Sequence, residues 1–275
     1  MITIEKTILK LQDICLTYQA ENGEVEALKN ISFTVDMGEL ISIIGPSGCG
    51  KSTLLSIIAG LTQATSGSIL IAGEAIQGLS PKIGYMLQKD SLLEWRTIKS
   101  NVLLGLEIRN MLTKENIDYT ETLLKTYGLW DFKDKYPSQL SGGMRQRAAL
   151  IRTLAPKPEI LLLDESFSAL DYQTRLKVAD DIFTILKSEQ KTALIVTHDI
   201  SEGISMADRV LLLSKRPGAI KKEIITNFVF CHQNFVKPVD KKRATFDYMP
   251  PLKRREDKRF REYFNDIWGE LDKHV

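Results

Sequence analysis

A glycine-rich loop at residues 45–52 constrains this chain more than any other feature. The loop fits the pattern G-x-x-x-x-G-K-[ST], follows an apolar segment at Leu40–Ile44 and precedes a helix-compatible segment at 51–60. Glycines let backbone N–H groups turn inward around phosphate oxygens, and the helix adds the positive end of its dipole. We expect Lys51 to reach the β- and γ-phosphates and Ser52 to bind Mg²⁺. The predicted nucleotide-binding residues here are Gly45, Pro46, Ser47, Gly48, Cys49, Gly50, Lys51, Ser52 and Thr53.

An apolar segment that ends in two acids follows further along the chain. Residues 160–163 suit a parallel strand buried on both faces, and Asp164 and Glu165 come directly after them. We expect Asp164 to hold Mg²⁺ through water, and Glu165 to polarise the water that attacks the γ-phosphate. Strands often end in acidic turns, so this pattern alone is weak evidence for a catalytic site. The phosphate-binding loop upstream makes it strong evidence.

The segment 140–147, Leu-Ser-Gly-Gly-Met-Arg-Gln-Arg, is a second candidate anion site. A serine and two glycines at a helix start offer a hydroxyl and open N–H groups, although an ordinary serine N-cap has the same pattern. The segment closely resembles the signature motif of the ABC ATPases, which more often have Gln at the place of Met144. This resemblance implies that Ser141, Gly142 and Gly143 bind the γ-phosphate of ATP held by a second copy. Two ATP molecules would then lie between two head-to-tail subunits.

The resemblance also implies roles for four further residues. Tyr18 matches the aromatic ring that stacks on adenine, with a tyrosine on a sheet surface as the alternative. Gln88 matches the Q-loop glutamine, which reaches Mg²⁺ and water and senses the membrane partner. Asp171 lies in a segment similar to the D-loop, Ser-Ala-Leu-Asp, and His198 matches the switch histidine that contacts the γ-phosphate. The implied catalytic residues are Lys51, Glu165 and His198, and the implied Mg²⁺ ligands are Ser52, Gln88 and Asp164.

The implied fold is α/β: a P-loop NTPase core of ABC type, with an N-terminal antiparallel β subdomain and a helical subdomain inserted after the Q-loop. The residue pattern agrees, since strand-like segments at 8–16, 31–35 and 68–71 precede helical periodicity over 90–136. We expect an ATPase domain at residues 1–230, with the helical subdomain at about 90–155, and a basic tail at residues 231–275. A further helix is predicted from Ser141 to just before Pro156, a buried strand at 193–196, a strand at 82–87, and a closing strand pair at 210–213 and 220–225.

The tail carries apolar residues at Phe260, Phe264, Ile267 and Leu271, a spacing that predicts an amphipathic helix within residues 253–271. We expect this helix to pack on the core and to expose a basic face. The alternative is a patch for a membrane surface or a nucleic acid, since residues 241–243 and 253–255 are basic.

Composition narrows the location and the partners. Lys and Arg total 37 against 35 for Asp and Glu, so no nucleic-acid partner is expected. The three cysteines lack a C-x-x-C pair, which favours a reducing compartment, and no run reaches 18 apolar residues. We therefore expect a cytoplasmic protein, peripheral on the inner face of the cell membrane. Cys49 lies beside a helix start that lowers a thiol pKa, so it is either oxidation-sensitive or a tolerated small residue.

The resemblance is compatible with three kinds of ABC protein: an importer subunit, an exporter fragment, and a non-transport ATPase acting on a ribosome or nucleic-acid complex. No membrane helix is fused to the chain, it holds one ATPase half, and the roughly 90 residues between Lys51 and Ser141 leave no room for a long coiled coil. Residues 88–97 and the Lys-Arg-Pro-Gly turn at 215–218 are similar to the nitrate/sulfonate/taurine-type importers, a branch that also carries pyrimidine and vitamin-precursor importers. The implied ligands are ATP and Mg²⁺. The implied partners are a second copy, two permease subunits and, indirectly, an extracytoplasmic solute-binding protein.

Overall fold

The computed structural model describes residues 7–20, 23–168, 170–228 and 248–272. Within these ranges the strands are β1 Thr7–Ala20, β2 Gly23–Asp36, β3 Leu40–Ile44, β4 Ser66–Ile71, β5 Glu74–Ala75, β6 Ile83–Met86, β7 Ile160–Asp164, β8 Thr192–Thr197, β9 Arg209–Leu213 and β10 Ile220–Ile225. The α-helices are α1 Lys51–Ile58, α2 Ile98–Ile108, α3 Lys114–Thr126, α4 Gly142–Leu154, α5 Tyr172–Ser188, α6 Ile200–Met206, α7 Pro251–Arg254 and α8 Lys258–Asp272, with 3₁₀ turns at Trp130–Phe132 and Pro137–Gln139.

The larger sheet has the strand order β10-β9-β3-β8-β7-β6, and its strands are parallel except for β10. Strands β3, β7 and β8 are buried along their whole length, which explains their continuous apolar sequences. The carboxyl ends of parallel strands meet at one edge of a sheet, so the loops that follow β3, β7 and β8 converge there. The predicted P-loop, Glu165 and the predicted switch histidine lie in these three loops, and Asp164 is the last residue of β7.

The smaller sheet is antiparallel, with the order β2-β1-β4-β5. It confirms the predicted N-terminal β subdomain, although β1 and β2 are each 14 residues long, well beyond the predicted segments at 8–16 and 31–35. Polar residues at the strand ends lengthen the hairpin because backbone pairing continues past the apolar stretch, from Thr17 opposite Glu26 to Ala20 opposite Gly23.

The helical subdomain comprises α2, α3 and the start of α4. Thr97, Thr113 and Ser141 cap the three helices by accepting hydrogen bonds from backbone N–H groups. The helical pattern predicted from residue 90 begins only at Ile98. Asn101 provides the reason, because its buried amide accepts from Leu93 N at 2.7 Å and donates to Leu93 O and Arg96 O at 3.0 Å, which holds the preceding residues as a loop.

The amphipathic helix predicted in the tail is α8, which begins five residues later than expected. Ile267 is fully buried, and Phe260 and Phe264 pack against the same apolar cluster with residues of α6 and β9. Lys222 pairs with Asp266 and Lys221 with Glu270, so β10 holds the other side of the helix. The basic residues 241–243 and Cys231 lie outside the described residues. Among the helices that the structure describes, none is long and apolar enough to cross a membrane.

Candidate nucleotide site at the carboxyl edge of the parallel sheet

The glycine-rich loop after β3 curls around the side chain of Lys51. The buried ammonium group donates to Gly45 O at 2.9 Å and to Pro46 O at 3.1 Å. Gly48 and Gly50 have φ angles of +73° and +105°, in the region where a side chain would be strained. These two glycines allow the tight curvature that leads directly into α1.

Cys49 packs beneath the loop and is 1% exposed. A Cβ on Gly45 would lie 2.8 Å from Cys49 Sγ, so position 45 has no room for a side chain. Burial raises the pKa of the Cys49 thiol, against a smaller lowering by Lys51. The expected lowering of this pKa by the helix start is therefore wrong, because loss of hydration outweighs the nearby positive charge. Burial favours the packing role over oxidation sensitivity.

A hydrogen-bonded triad joins the loop to the end of β7. Ser52 Oγ donates to Asp164 Oδ1 at 2.9 Å, and Tyr85 Oη donates to Asp164 Oδ2 at 3.1 Å. Burial raises the pKa of Asp164, and burial together with the Asp164 charge raises the pKa of Tyr85 to about 12. Sequence reasoning missed Tyr85. The available signal was its place on a strand that pairs in parallel with β7, in register with Leu162.

Glu165 and His198 meet beside this triad. His198 Nδ1 lies 3.3 Å from Glu165 Oε2, although the two residues are 33 positions apart. Glu165 has a φ of 43°, an uncommon value for a residue with a side chain, and its N–H donates to Val196 O at 2.9 Å. The backbone of β8, which carries His198 just beyond its end, therefore also fixes the orientation of Glu165.

Gln88 reaches the same region through Ser168. Its Nε2 donates to Ser168 Oγ at 3.2 Å, and Ser168 Oγ donates to Glu165 O at 3.0 Å. The strand ends at Met86, so Gln88 lies in the loop after β6 rather than at the strand end. The sequence singled out Ser168 only as part of a motif, and its bridging contact was not foreseen.

The segment 141–143 and Asp171 occupy helix starts. Ser141 Oγ accepts from Met144 N at 3.3 Å, and Asp171 Oδ1 accepts from Thr174 N at 3.1 Å. Hydrogen bonds from the side chain and then from the backbone of Thr174 lower the pKa of Asp171. A Cβ on Gly142 would lie 2.9 Å from Leu170 Cδ2, and a Cβ on Gly143 would lie 2.9 Å from Val178 Cγ2. Gly143 therefore permits close packing of α4 on α5, and Gly142 permits close packing of α4 on the loop before α5.

Two groups of predicted residues are thus separate in their hydrogen bonding. Within the described ranges, no hydrogen bond joins residues 141–143 to the loop at 45–52.

The other predicted nucleotide-binding residues lie at or near the surface. Tyr18 lies on β1 opposite Val25 with 44% of its surface exposed, and Thr53 is half-buried on α1. Pro46 is half-buried and Ser47 is exposed at the outer rim of the loop.

Comparison with known protein families gives a match over residues 28–168 to the family described as ABC transporter. The ABC transporter ATP-binding protein YtlC of Bacillus subtilis, whose function is uncharacterized, is 46% identical over 97% of this chain and 96% of its own length. The nitrate import ATP-binding protein NrtD of Synechocystis is 41% identical over 80% of this chain and 82% of NrtD. The taurine import ATP-binding protein TauB of Ruegeria pomeroyi is 39% identical over 78% of this chain and 81% of TauB.

Among solved structures, the dimer of the ATP-binding cassette MJ0796 in a post-hydrolysis state with ADP and Pi is similar, with a TM-score of 0.67 and 31% sequence identity. The match covers 80% of this chain and 99% of that cassette.

Proposed function

Since the chain belongs to the ABC transporter family, we propose that it is the subunit that binds and hydrolyses ATP to energise import of a small solute through separate permease subunits. One observation carries the chemistry: Lys51, the Ser52–Asp164 pair and the Glu165–His198 pair converge at one edge of the sheet. We infer that the solute belongs to the nitrate, sulfonate and taurine-like class or to the vitamin-precursor class. Relatives named for the import of nitrate, taurine and aliphatic sulfonates support the first class.

The residues present fit Mg²⁺. Ser52 offers a hydroxyl and Asp164 a carboxylate on opposite sides of one hydrogen bond, and Gln88 offers an amide oxygen from the facing loop. These are the hard oxygen ligands that Mg²⁺ prefers, and one carboxylate with substrate phosphates is its usual protein environment. Bound there, Mg²⁺ would neutralise charge that develops on the β- and γ-phosphates.

Each side chain then has a defined task. Lys51 exchanges its contacts with loop carbonyls for contacts with phosphate oxygens, because an ammonium prefers a charged partner. Glu165 accepts a proton from the attacking water, and its backbone bonds to Val196 and Ser168 keep the carboxylate in place. His198 contacts the γ-phosphate and holds Glu165 from the other side. The exposed ring of Tyr18 stacks on adenine.

The signature segment acts on a second copy of the chain. Ser141, Gly142 and Gly143 begin a helix of 13 residues whose N-terminal dipole attracts an anion. Since these residues share no hydrogen bond with the phosphate loop within the described chain, a head-to-tail dimer would bring them to the ATP of the partner. The dimeric structure of the similar cassette MJ0796 supports association of two copies. Asp171, at the start of α5, communicates across the same interface.

A groove of about 320 Å³ supports docking of a permease. It lies between the end of α1, the segment before β6 and the end of α2, where Arg109 Nη1 donates to Pro81 O at 2.9 Å. Leu79 on its rim and Trp95 in the Q-loop segment are each 74% exposed. Large exposed apolar side chains beside a groove, as at Leu79, are typical of protein contacts.

The ATPase domain spans 1–230, with the helical subdomain at about 90–155, and the tail spans 231–275. The chain works at the inner face of the cell membrane, and an extracytoplasmic binding protein delivers the solute to the permeases. A permease gene and a binding-protein gene beside the gene for this chain would support import.

The catalytic assignment is tested by Glu165→Gln in the full chain. We expect MgATP binding to persist and the ATPase rate to fall by about 10²-fold or more, because a positioned general base contributes at least this factor. The variant should accumulate as an ATP-bound dimer in light scattering. Glu159→Gln is the matched control, since Glu159 is an exposed carboxylate just before the other end of β7. Turnover of Glu165→Gln at the wild-type rate would show that another group is the base.

The docking assignment is tested with a photo-reactive residue at Leu79 or, as the control, at Trp268. Trp268 is 54% exposed on α8, far along the chain from the groove. Cross-links to a co-expressed permease are expected from position 79 and not from position 268. The reverse result would move the permease to the tail.

A further inference from the structure

The turn between β9 and β10 lies directly against the phosphate loop. Arg216 donates through Nε and Nη2 to the carbonyl oxygen of Gly48, at 3.2 and 3.0 Å. Two residues later, a Cβ on Gly218 would lie 2.2 Å from Cys49 O, so only glycine fits against the loop backbone. The sequence identified this turn only as a mark of one importer branch.

Hydrogen bonds to β2 and within the turn fix the backbone that carries Arg216. Gly218 N donates to Ala27 O, and Gly218 O accepts from Lys29 N, both at 2.9 Å, which joins the turn to β2. Within the turn, Ser214 Oγ donates to Pro217 O at 2.9 Å and accepts from Ala219 N at 3.0 Å. A guanidinium presented from this fixed backbone loses little additional conformational freedom when it binds the loop.

The contact controls the orientation of one peptide group. A trans peptide places its C=O and N–H on opposite sides, so a Gly48 C=O that faces Arg216 directs the N–H of Cys49 away from the guanidinium. That N–H donates to Pro46 O at 3.3 Å, the same oxygen that accepts from Lys51 Nζ at 3.1 Å. Arg216 is therefore linked through one peptide plane to the interior of the loop, where phosphate would bind.

We propose that Arg216 is a positioning residue for the phosphate loop: its guanidinium holds the Gly48–Cys49 peptide in the orientation that presents N–H groups to the nucleotide. The proposal rests on ATP binding at this loop. Because the contact shapes the loop before and during the reaction alike, its loss weakens nucleotide binding without a matching loss of kcat.

The test compares Arg216→Gln, Arg216→Lys and the control Lys215→Gln. Lys215 is an exposed cation one position away, so the control removes the same charge from the same turn. Hydrogen exchange of the full chain without nucleotide should be faster at the amides of residues 48–51 in Arg216→Gln, and unchanged in the control. The Kd of a fluorescent ATP analogue with Mg²⁺ should rise about tenfold in Arg216→Gln, because losing a hydrogen bond from a charged donor shifts an equilibrium by at least this order.

Arg216→Lys should be intermediate, since an ammonium keeps the charge but not the two-pronged geometry. Equal weakening in Arg216→Gln and Lys215→Gln would reduce the effect to general electrostatic attraction and overturn the proposal. Unchanged exchange at residues 48–51 in Arg216→Gln would overturn it as well. If the wild-type chain bound no nucleotide, the proposed function would fail, whereas the exchange comparison would still decide the role of Arg216.

Discussion

Glu202 makes the stability of this protein depend on pH in a direction opposite to that of most carboxylates. It lies on α6, four residues after His198, and is 4% exposed. Burial, followed by repulsion from Asp199, raises its pKa from 4.5 to about 7, although Thr197, Arg175 and Arg255 act in the other direction. The folded protein therefore binds this proton more tightly than the unfolded chain does.

The sign follows from this difference. Below pH 4.5 both states hold the proton, and the raised pKa has no effect on the free energy of unfolding. As pH rises toward about 7, the unfolded chain releases the proton while the folded protein retains it, so the folded state is progressively destabilised. Each tenfold change in proton affinity is worth about 1.4 kcal/mol, so the full effect is about 3 kcal/mol, of which about 2.5 kcal/mol develops between pH 5 and pH 8.

Glu202→Gln removes this effect, because the amide is neutral at every pH and close in shape to the acid. We expect the variant to gain about 2.5 kcal/mol relative to the wild type when both are moved from pH 5 to pH 8. Urea unfolding at the two pH values measures the gain, followed by fluorescence and far-UV circular dichroism together.

Glu256→Gln is the control, since Glu256 is an exposed carboxylate of the tail. Its stability difference from the wild type should be the same at both pH values. A Glu202→Gln difference that also stays constant, or that shrinks toward pH 8, would refute the reasoning that burial dominates over the two arginines.

Three further substitutions test the packing around the site. Tyr85→Phe removes the hydroxyl that donates to Asp164, and urea unfolding should show a free energy of unfolding lower by about 1 kcal/mol. An unchanged unfolding midpoint would show that this hydrogen bond does not stabilise the fold. Gly143→Ala places a methyl group against Val178, and we expect the free energy of unfolding to fall by about 1–3 kcal/mol. The ATPase activity should also fall while nucleotide binding is retained. Full activity would show that α4 and α5 can separate freely. Ile267→Ala empties a fully buried position on α8 and should cost about 2–5 kcal/mol in thermal unfolding; a negligible cost would show that α8 is dispensable to the core.

The parallel sheet was predictable from sequence because a strand that is buried on both faces has a mostly apolar sequence. Residues 160–163 and 193–196 are uninterrupted apolar runs, residues 40–44 are apolar except for Ser42, and each segment lies in a fully buried strand. The loop after each strand carried its own motif, so the grouping of Lys51, Asp164 and His198 at one edge followed from the rules of parallel sheets.

Contacts that depend on strand register or on the length and direction of a side chain could not be predicted from the sequence pattern. Tyr85 reads as one more apolar strand residue, and only its position beside β7 directs its hydroxyl to Asp164. Arg216 reads as part of a polar turn, and its bond to Gly48 spans 168 positions of the chain. The pKa of Cys49 was misjudged for a related reason, because a helix start is visible in sequence and burial beneath the loop is not.

The two halves of the site make ATP binding and association of the proposed dimer interdependent. One chain supplies Lys51 and the carboxylates at the sheet edge, and a partner would supply the helix start at 141–143, so the γ-phosphate would be fully enclosed only between two copies. Linkage then requires that ATP tighten the dimer by the same factor by which the dimer tightens ATP. Hydrolysis by Glu165 would remove the γ-phosphate and with it the contact that joins the halves. The phosphate loop would then form one half of a site shared by two copies. Its shape, which we propose that Arg216 maintains through Gly48 O, would matter to both ATP binding and dimer association.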